Sequence, residues 1–493
     1  MADDAIVVGS GPNGLAAAVA LAQEGVSVTV LEGAAAIGGG TRSGELTVPG
    51  VLHDHCAAVH PMAVGSPFLR TLGLERHGLD WLWPEIELAH PLDGGRTAVL
   101  HRSLEQTADG LGPDGDAWLR VFGPLTRRFD EIAEDLMRPL PHRPAHPWAA
   151  ARFGALAAFP AALVGRAWTT PEARALFAGV AAHALRPLHT MGSAALGLML
   201  IAAGHRRGWP VARGGSRAIT DALAARLLEL GGTIETGTWV SSLAELPPSA
   251  LVLLDVAPRA AAAICGDRMP PRVRRGYARW RHGPGAFKVD LAVRDGIPWT
   301  ADACRRAGTV HLGGTIDEIS RAERLAVAGR MPDRPFVLVA QQYLADPSRS
   351  AGDVHPVWAY AHVPNGWQGD ATEAVLDQIE RFAPGTRDRV VGRVSRRVDE
   401  MAAYNPNYVG GDILTGANTA WQLAFRPRPA LDPYSTGIPG VFLCSAATPP
   451  GAGVHGMCGA GAARSALRHL GKPDSAIPTA LRATAVQARP GWP

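Results

Sequence analysis

The chain has 493 residues, 47% apolar and 19% charged, with a formal net charge of +3. That composition describes an ordinary globular chain of two or three domains and excludes strong electrostatic steering toward nucleic acid. Five scattered cysteines with no Cys-x-x-Cys exclude a disulfide framework and suit a reducing compartment.

The first element is an apolar strand, Ala5 to Val8, running into Gly9-Ser10-Gly11-Pro12-Asn13-Gly14. A helix follows, with Leu15, Ala18, Val19 and Ala22 at the spacing of a buried stripe and Gly25 at its C-terminal cap. A second strand, Val28 to Leu31, ends on Glu32. Strand, Gly-x-Gly-x-x-Gly turn, helix, strand and acid in this register predict a dinucleotide site. Gly9 permits the turn, Gly11 lets backbone approach a pyrophosphate, and Gly14 lets helix and strand pack closely. Pro12 and Asn13 open the helix, whose free N–H groups attract phosphate. Glu32 accepts from ribose hydroxyls and repels a 2′-phosphate, which disfavours NADP. Asp3 and Asp4 stand where a signal peptide needs basic residues, so a cytoplasmic location is expected.

Gly38-Gly39-Gly40-Thr41-Arg42 reads as a second loop able to wrap N–H groups around phosphate oxygens. Residues 44–65 read as a polar loop carrying His53, Asp54, His55 and His60. His53 and His55 flank an acid but lack a clear third ligand, so no metal is expected. Residues 84–102 read as short strands turning at Gly94-Gly95, and 104–205 as largely helical with breaks at Pro141, Pro144, Pro147 and Pro160. The apolar segment Trp148 to Trp168 fits an internal helix pair as well as it fits a peripheral membrane-surface segment or the lining of a greasy channel. No apolar run reaches the roughly 18 residues of a membrane span.

Ser216 is the expected N-cap of a helix with Ile219, Leu223, Leu227 and Leu230 on one face, ended by Gly231-Gly232. Thr233 to Thr236 and Leu251 to Asp255 read as strands returning to the first sheet. Ala286 to Val293, Pro335 to Gln341, Val357 to His362 and Arg389 to Arg393 predict a second sheet. The arginines at 272, 274, 275, 279 and 281 read as a solvated face. Val441 to Cys444 is a last strand, followed by a Pro- and Gly-rich loop and a helix from about Gly456 to Arg468.

The stretch Pro439-Gly440-Val441-Phe442-Leu443-Cys444-Ser445-Ala446-Ala447-Thr448-Pro449-Pro450-Gly451-Ala452-Gly453-Val454-His455-Gly456 resembles the flavin-binding signature of the phytoene desaturase-like FAD oxidoreductases. Within them it looks like the branch of pyridine nucleotide-disulfide oxidoreductase domain-containing protein 2. His60-Pro61-Met62-Ala63, Gly208-Trp209-Pro210, Gly283 to Lys288, Gln341-Gln342, Asn405-Pro406-Asn407, Gly410-Gly411-Asp412 and Arg426-Pro427 carry the same resemblance, which covers the chain to about residue 470. It departs at Ser445, where the family has Gly, and at Ser241 to Ser249, where a β-meander is nearly absent.

The resemblance implies an α/β fold: a discontinuous Rossmann-type FAD-binding domain (1–80, 206–270 and 435–471) with an inserted α+β substrate domain (81–205 and 271–434, including a helical subdomain), then a flexible tail at 472–493. Beyond the glycine turn, Glu32 and residues 38–42, it implies FAD contacts at His60, Val240, Ser445, Gly453, His455, Gly456 and Met457. His60 and His455 are the candidate catalytic groups, and for Trp421 and Arg426 two readings stay open, lining the substrate side or simply packing. The implied activity is hydride transfer between flavin and a hydrophobic, unsaturated, isoprenoid- or lipid-like molecule, with oxygen or a quinone as electron acceptor. A double-bond isomerase, an amine oxidase and a non-catalytic flavoprotein with a binding role remain open beside it. Disulfide reduction is not expected, because no cysteine pair and no second nucleotide motif is visible.

Overall fold

The computed structural model describes residues 4–475 apart from residue 141, so most of the tail expected at 472–493 lies outside the described residues. Five parallel strands form the first sheet, in the order Val441–Leu443, Leu251–Leu254, Asp4–Val8, Ser27–Leu31, Thr233–Glu235. Segments from the start, middle and end of the chain thus meet in one sheet. Its centre is an unbroken apolar run, as a strand covered on both faces requires. Pro12–Gln23 packs on one face against Met457–His469. Small residues allow this contact: a Cβ on Gly459 would strike the Asn13 carbonyl oxygen.

The second sheet has seven strands, in the order Val390–Arg396, Gly285–Arg294, Val354–Val363, Val337–Ala340, Ala307–Leu312, Ile86–Pro91, Thr97–Leu100. All its pairings are antiparallel except that of Ala307–Leu312 with Ile86–Pro91. One face packs on Thr372–Phe382 through Val375, Leu376 and Ile379. The other carries Trp358, Tyr360 and Leu338 toward the helices Pro171–Ala181 and Ala194–Arg207. The chain is therefore a mixed α/β protein with a Rossmann-type dinucleotide-binding domain and a separate sheet-based unit.

Three local expectations change. Residues 44–65 are not simply a loop: Ser43–Glu45 pairs antiparallel with Leu52–Asp54, and Pro61–Val64 is a helical turn. Polar side chains hide the strand because tertiary partners satisfy them. Ser216 stands at the N-cap of Arg217–Glu229 but makes no cap hydrogen bond. Its hydroxyl is engaged by His60 instead. Ala307–Leu312 is a buried strand that its Gly308, Thr309 and His311 disguise.

The segment from Trp148 to Trp168 folds as helices Pro147–Ala157 and Ala161–Val164, part of a pair bent by 94°. Ala149, Phe153, Ala157 and Ala161 are buried, whereas Trp148 is 82% exposed. Among the described residues, no single helix is long and apolar enough to cross a membrane.

Candidate functional site

A cavity of about 790 Å³ runs from the N-terminal glycine turn to the second sheet. At its first end Gly9 adopts φ +101, a conformation suited to glycine, and turns the chain off the strand. A Cβ on Gly14 would run into the Gly9 carbonyl oxygen, so glycine alone fits there. Glu32 is held in place from several sides. Its Oε2 accepts from the Ser10 N–H (2.9 Å) and hydroxyl (2.6 Å), and its Oε1 from the Ala34 N–H (2.8 Å) and Arg42 Nη2 (3.3 Å). Arg42 also donates to the Ala36 and Ile37 carbonyls and so closes the second glycine loop.

Asp255, one residue past the Leu251–Leu254 strand, was not anticipated as a site residue. Its Oδ2 accepts from the Gly14 N–H (2.9 Å), taking one donor of the helix N-terminus. Burial pushes its carboxyl up to about 7, and the nearby Glu32 charge adds to the rise. The available signal was an acid ending a strand at the edge where such sheets bind ligands. Trp239 was also missed. It is 67% exposed, lines the cavity beside Val240, and covers Gly33, where a Cβ would lie 2.5 Å from its ring.

The expected contacts divide into two groups. Gly9, Gly11, Pro12, Asn13, Glu32, Gly39, Gly40, Thr41, Arg42, His60, Val240, Ser445 and Gly453 line the cavity. Gly14, Gly38, His455, Gly456 and Met457 do not; they lie behind the wall and shape it. His455 Nδ1 accepts from the Met457 N–H (3.1 Å), so the ring caps the last helix. Its imidazole is buried and pushed down to about 4.

His60 lies on the wall with Nε2 2.8 Å from the Ser216 hydroxyl, against Trp81. Burial pushes it down to about 4, so it is neutral at physiological pH. Ser216 is anchored in turn: its N–H donates to Asp54 Oδ1 (2.7 Å), and Asp54 Oδ2 accepts from Arg349 Nη1 (2.5 Å). Arg349 also reaches Asp346 (3.1 Å) and the Ala212 carbonyl (2.6 Å). The neighbours of Asp54 go elsewhere: His53 to Thr47 (2.8 Å) and His55 onto the Tyr404 ring. Among the described residues no three His, Cys, Asp or Glu side chains gather as a metal site.

Trp421 and Arg426, open between lining and packing, are off the wall. Trp421 is 62% exposed and packs on Phe425. Arg426 is buried over the Trp280 ring and donates to the Pro450 carbonyl (3.2 Å). The true wall comes from Leu196, Leu200, Trp209, Leu338, Trp358, Tyr360, Ile413 and Leu414, joined by His183 and Thr309. Behind Trp358 lies a buried Lys288–Asp290 ion pair, with the Lys288 ammonium 5.6 Å from that ring. Cys458 is buried, its thiol pushed up to about 11, and stays protonated.

This arrangement can hold a dinucleotide at one end and an apolar molecule at the other. Residues 7–71 match the NAD(P)-binding Rossmann-like domain family. The whole chain is similar to the rat (Rattus norvegicus) pyridine nucleotide-disulfide oxidoreductase domain-containing protein 2, at 25% identity over 95% of this chain and 94% of that one. In fold it is similar to an oxidoreductase from Methanosarcina mazei (TM-score 0.60, 16% identity, 94% of this chain and 100% of the other). It is likewise similar to putrescine oxidase bound to putrescine (TM-score 0.59, 18% identity, 96% and 99%). The chain thus shares the fold of these oxidoreductases.

Proposed function

We propose that this chain is an FAD-dependent oxidoreductase acting on a hydrophobic, unsaturated and uncharged substrate. The observation that carries the reading is the make-up of the cavity wall. Among the described residues its only carboxylates, Glu32 and Asp255, and its only cation, Arg42, stand at the nucleotide end. The rest is apolar, aromatic or neutral. A buried ammonium or carboxylate without a partner is strongly disfavoured, so this wall selects against amines and acids. The fold shared with putrescine oxidase does not bring that enzyme's substrate with it.

The residues fit FAD. Gly11, Pro12, Asn13 and the loop 38–42 would take the pyrophosphate, Glu32 the ribose hydroxyls, and Val240 with Trp239 the adenine. Ser445 and Gly453 would flank the flavin, supported from behind by His455, Gly456 and Met457. When bound, the flavin supplies the hydride chemistry. The chain's own residues exclude water through Leu196, Leu200, Leu338 and Ile413 and hold the reacting molecule against the wall. His60, neutral and clamped by Ser216, offers a fixed imidazole rather than a mobile charge. Oxygen or a quinone would accept the electrons.

Purified protein supplied with FAD should be yellow. Anaerobic addition of an unsaturated isoprenoid aldehyde or alcohol should bleach it, whereas putrescine should not. A colourless protein that takes up no FAD, or bleaching by putrescine alone, would overturn the reading.

A further inference from the structure

The apolar half of the cavity contains a polar device, a histidine pair, that the proposed function does not use; the Thr309 hydroxyl, buried without a partner, lies on the same wall. His183 sits on the short turn Ala182–Ala184 that ends the helix Pro171–Ala181, and it lines the cavity. Its Nε2 lies 2.9 Å from Nε2 of His311, which belongs to the buried strand Ala307–Leu312. Trp209 packs edge-on against His183 (5.7 Å between ring centres) and touches His311 (6.0 Å). Trp209 is itself fixed, its N–H on Glu87 (2.6 Å) and its indole N–H on the Leu200 carbonyl (3.2 Å). The pair is therefore held rigidly.

Burial keeps both imidazoles neutral: His183 is pushed down to about 3 and His311 well below its usual range. One of the two facing nitrogens donates and the other accepts, which leaves two tautomeric arrangements. The surroundings decide between them. His311 Nδ1 is buried with no hydrogen-bond partner. If it carried the proton, it would be an orphaned buried donor, which is rare; a bare lone pair there is cheaper. Nearby, His90 donates Nε2–H to the Gly314 carbonyl (2.8 Å), so its own Nδ1 is bare as well. The proton of His311 thus lies on Nε2 and is donated to His183. The proton of His183 is then on Nδ1, which makes no hydrogen bond to any of the described residues and belongs to a half-buried side chain on the cavity wall.

We propose that His183 is the recognition residue of the substrate half, its Nδ1–H donating to an uncharged oxygen, a carbonyl or a hydroxyl, on an otherwise apolar substrate. This rests on the oxidoreductase reading and names the polar group that its substrate carries. An ammonium offers no lone pair to this donor. A carboxylate would be buried without a cation, since Arg42 is at the far end. A pure hydrocarbon would leave the donor unsatisfied.

The test uses the FAD-loaded full chain and three ligands of one carbon skeleton: farnesal, farnesene and farnesylamine. Binding is read by calorimetry, independently of turnover. Farnesal should bind roughly 3- to 10-fold more tightly than farnesene, the worth of one net hydrogen bond, and farnesylamine most weakly. His183→Phe should erase the preference for farnesal and leave farnesene within about twofold of its original affinity. His183→Gln, which restores a donor, should recover part of the preference. Equal binding of farnesal and farnesene to the unaltered protein would overturn the proposal, as would tightest binding of the amine. So would an equal loss of farnesal and farnesene binding in His183→Phe. The absorbance of the same samples separates the two readings: a chain that takes up no FAD sinks the oxidoreductase assignment, and a yellow protein indifferent to the carbonyl sinks only this one.

Discussion

The two ends of the cavity are built on opposite plans. At the nucleotide end the wall comes largely from short contiguous stretches, 8–13, 31–34 and 39–42, with Gly14 and Gly38 shaping it from behind. Glycines there exist to let main chain approach main chain, as the fit of Gly14 against the Gly9 carbonyl shows. At the apolar end no stretch dominates. His183, Leu200, Thr309, Leu338, Trp358 and Leu414 each come from a different segment, and all contribute side chains. A site made of backbone geometry is constrained by spacing. One made of side chains from separate elements is constrained only by how those elements pack.

The largest test of that contrast is Gly14→Val. The new side chain meets main chain that cannot move aside, so FAD binding should be lost entirely. Leu200→Ala, at the other end, should leave FAD binding within about twofold. Retained FAD in Gly14→Val, measured by absorbance after gel filtration, would break the comparison.

A second test uses the one charge that tertiary structure brings to the nucleotide end. Asp255 titrates near 7 in the folded chain against 3.8 for the ordinary side chain. The folded state therefore holds a proton that the unfolded state has lost between those values. Stability is full below about pH 4, falls as pH rises toward 7, and is level above it. The penalty should grow by about 2–3 kcal/mol between pH 5 and pH 8. Asp255→Asn should remove that slope and, at pH 8, raise both the melting temperature and the affinity for FAD. An unchanged pH profile, followed by thermal denaturation with and without FAD, would remove Asp255 from the account.

The smallest effect concerns Trp239. Trp239→Ala should weaken FAD binding by about 1–3 kcal/mol, the scale of a base stacked on an aromatic ring, with no effect on farnesene affinity. Weakened binding of both would show that the two ends are not independent.

Much of the fold was legible in advance. Four of the five strands of the first sheet stood out as apolar runs bounded by glycine or acid, and the fifth, Thr233–Glu235, by the Gly231-Gly232 stop before it. The Ala307–Leu312 strand did not, because Gly308, Thr309 and His311 interrupt its apolar run. The short pairing at 43–54 was hidden for the same reason: Asp54 is buried only because Arg349, 295 residues away, neutralises it. Ser216 had the sequence position of a helix cap, yet a histidine 156 residues distant took its hydroxyl. For Trp421 and Arg426 the sequence left wall lining and plain packing open, and the structure packs both: Trp421 on Phe425, facing solvent, and Arg426 beneath the loop at Pro450.

Local order along the chain was enough to establish a dinucleotide turn, its acid and the discontinuous sheet that carries them. Those features depend on periodicity and on which residues tolerate tight backbone, and both act over a few residues. The make-up of the apolar wall, the neutral state of His60 and His183, and the raised carboxyl of Asp255 depended on the folded chain. Each is a consequence of burial and of partners remote in sequence, and burial is a property of the packed molecule rather than of any segment of it.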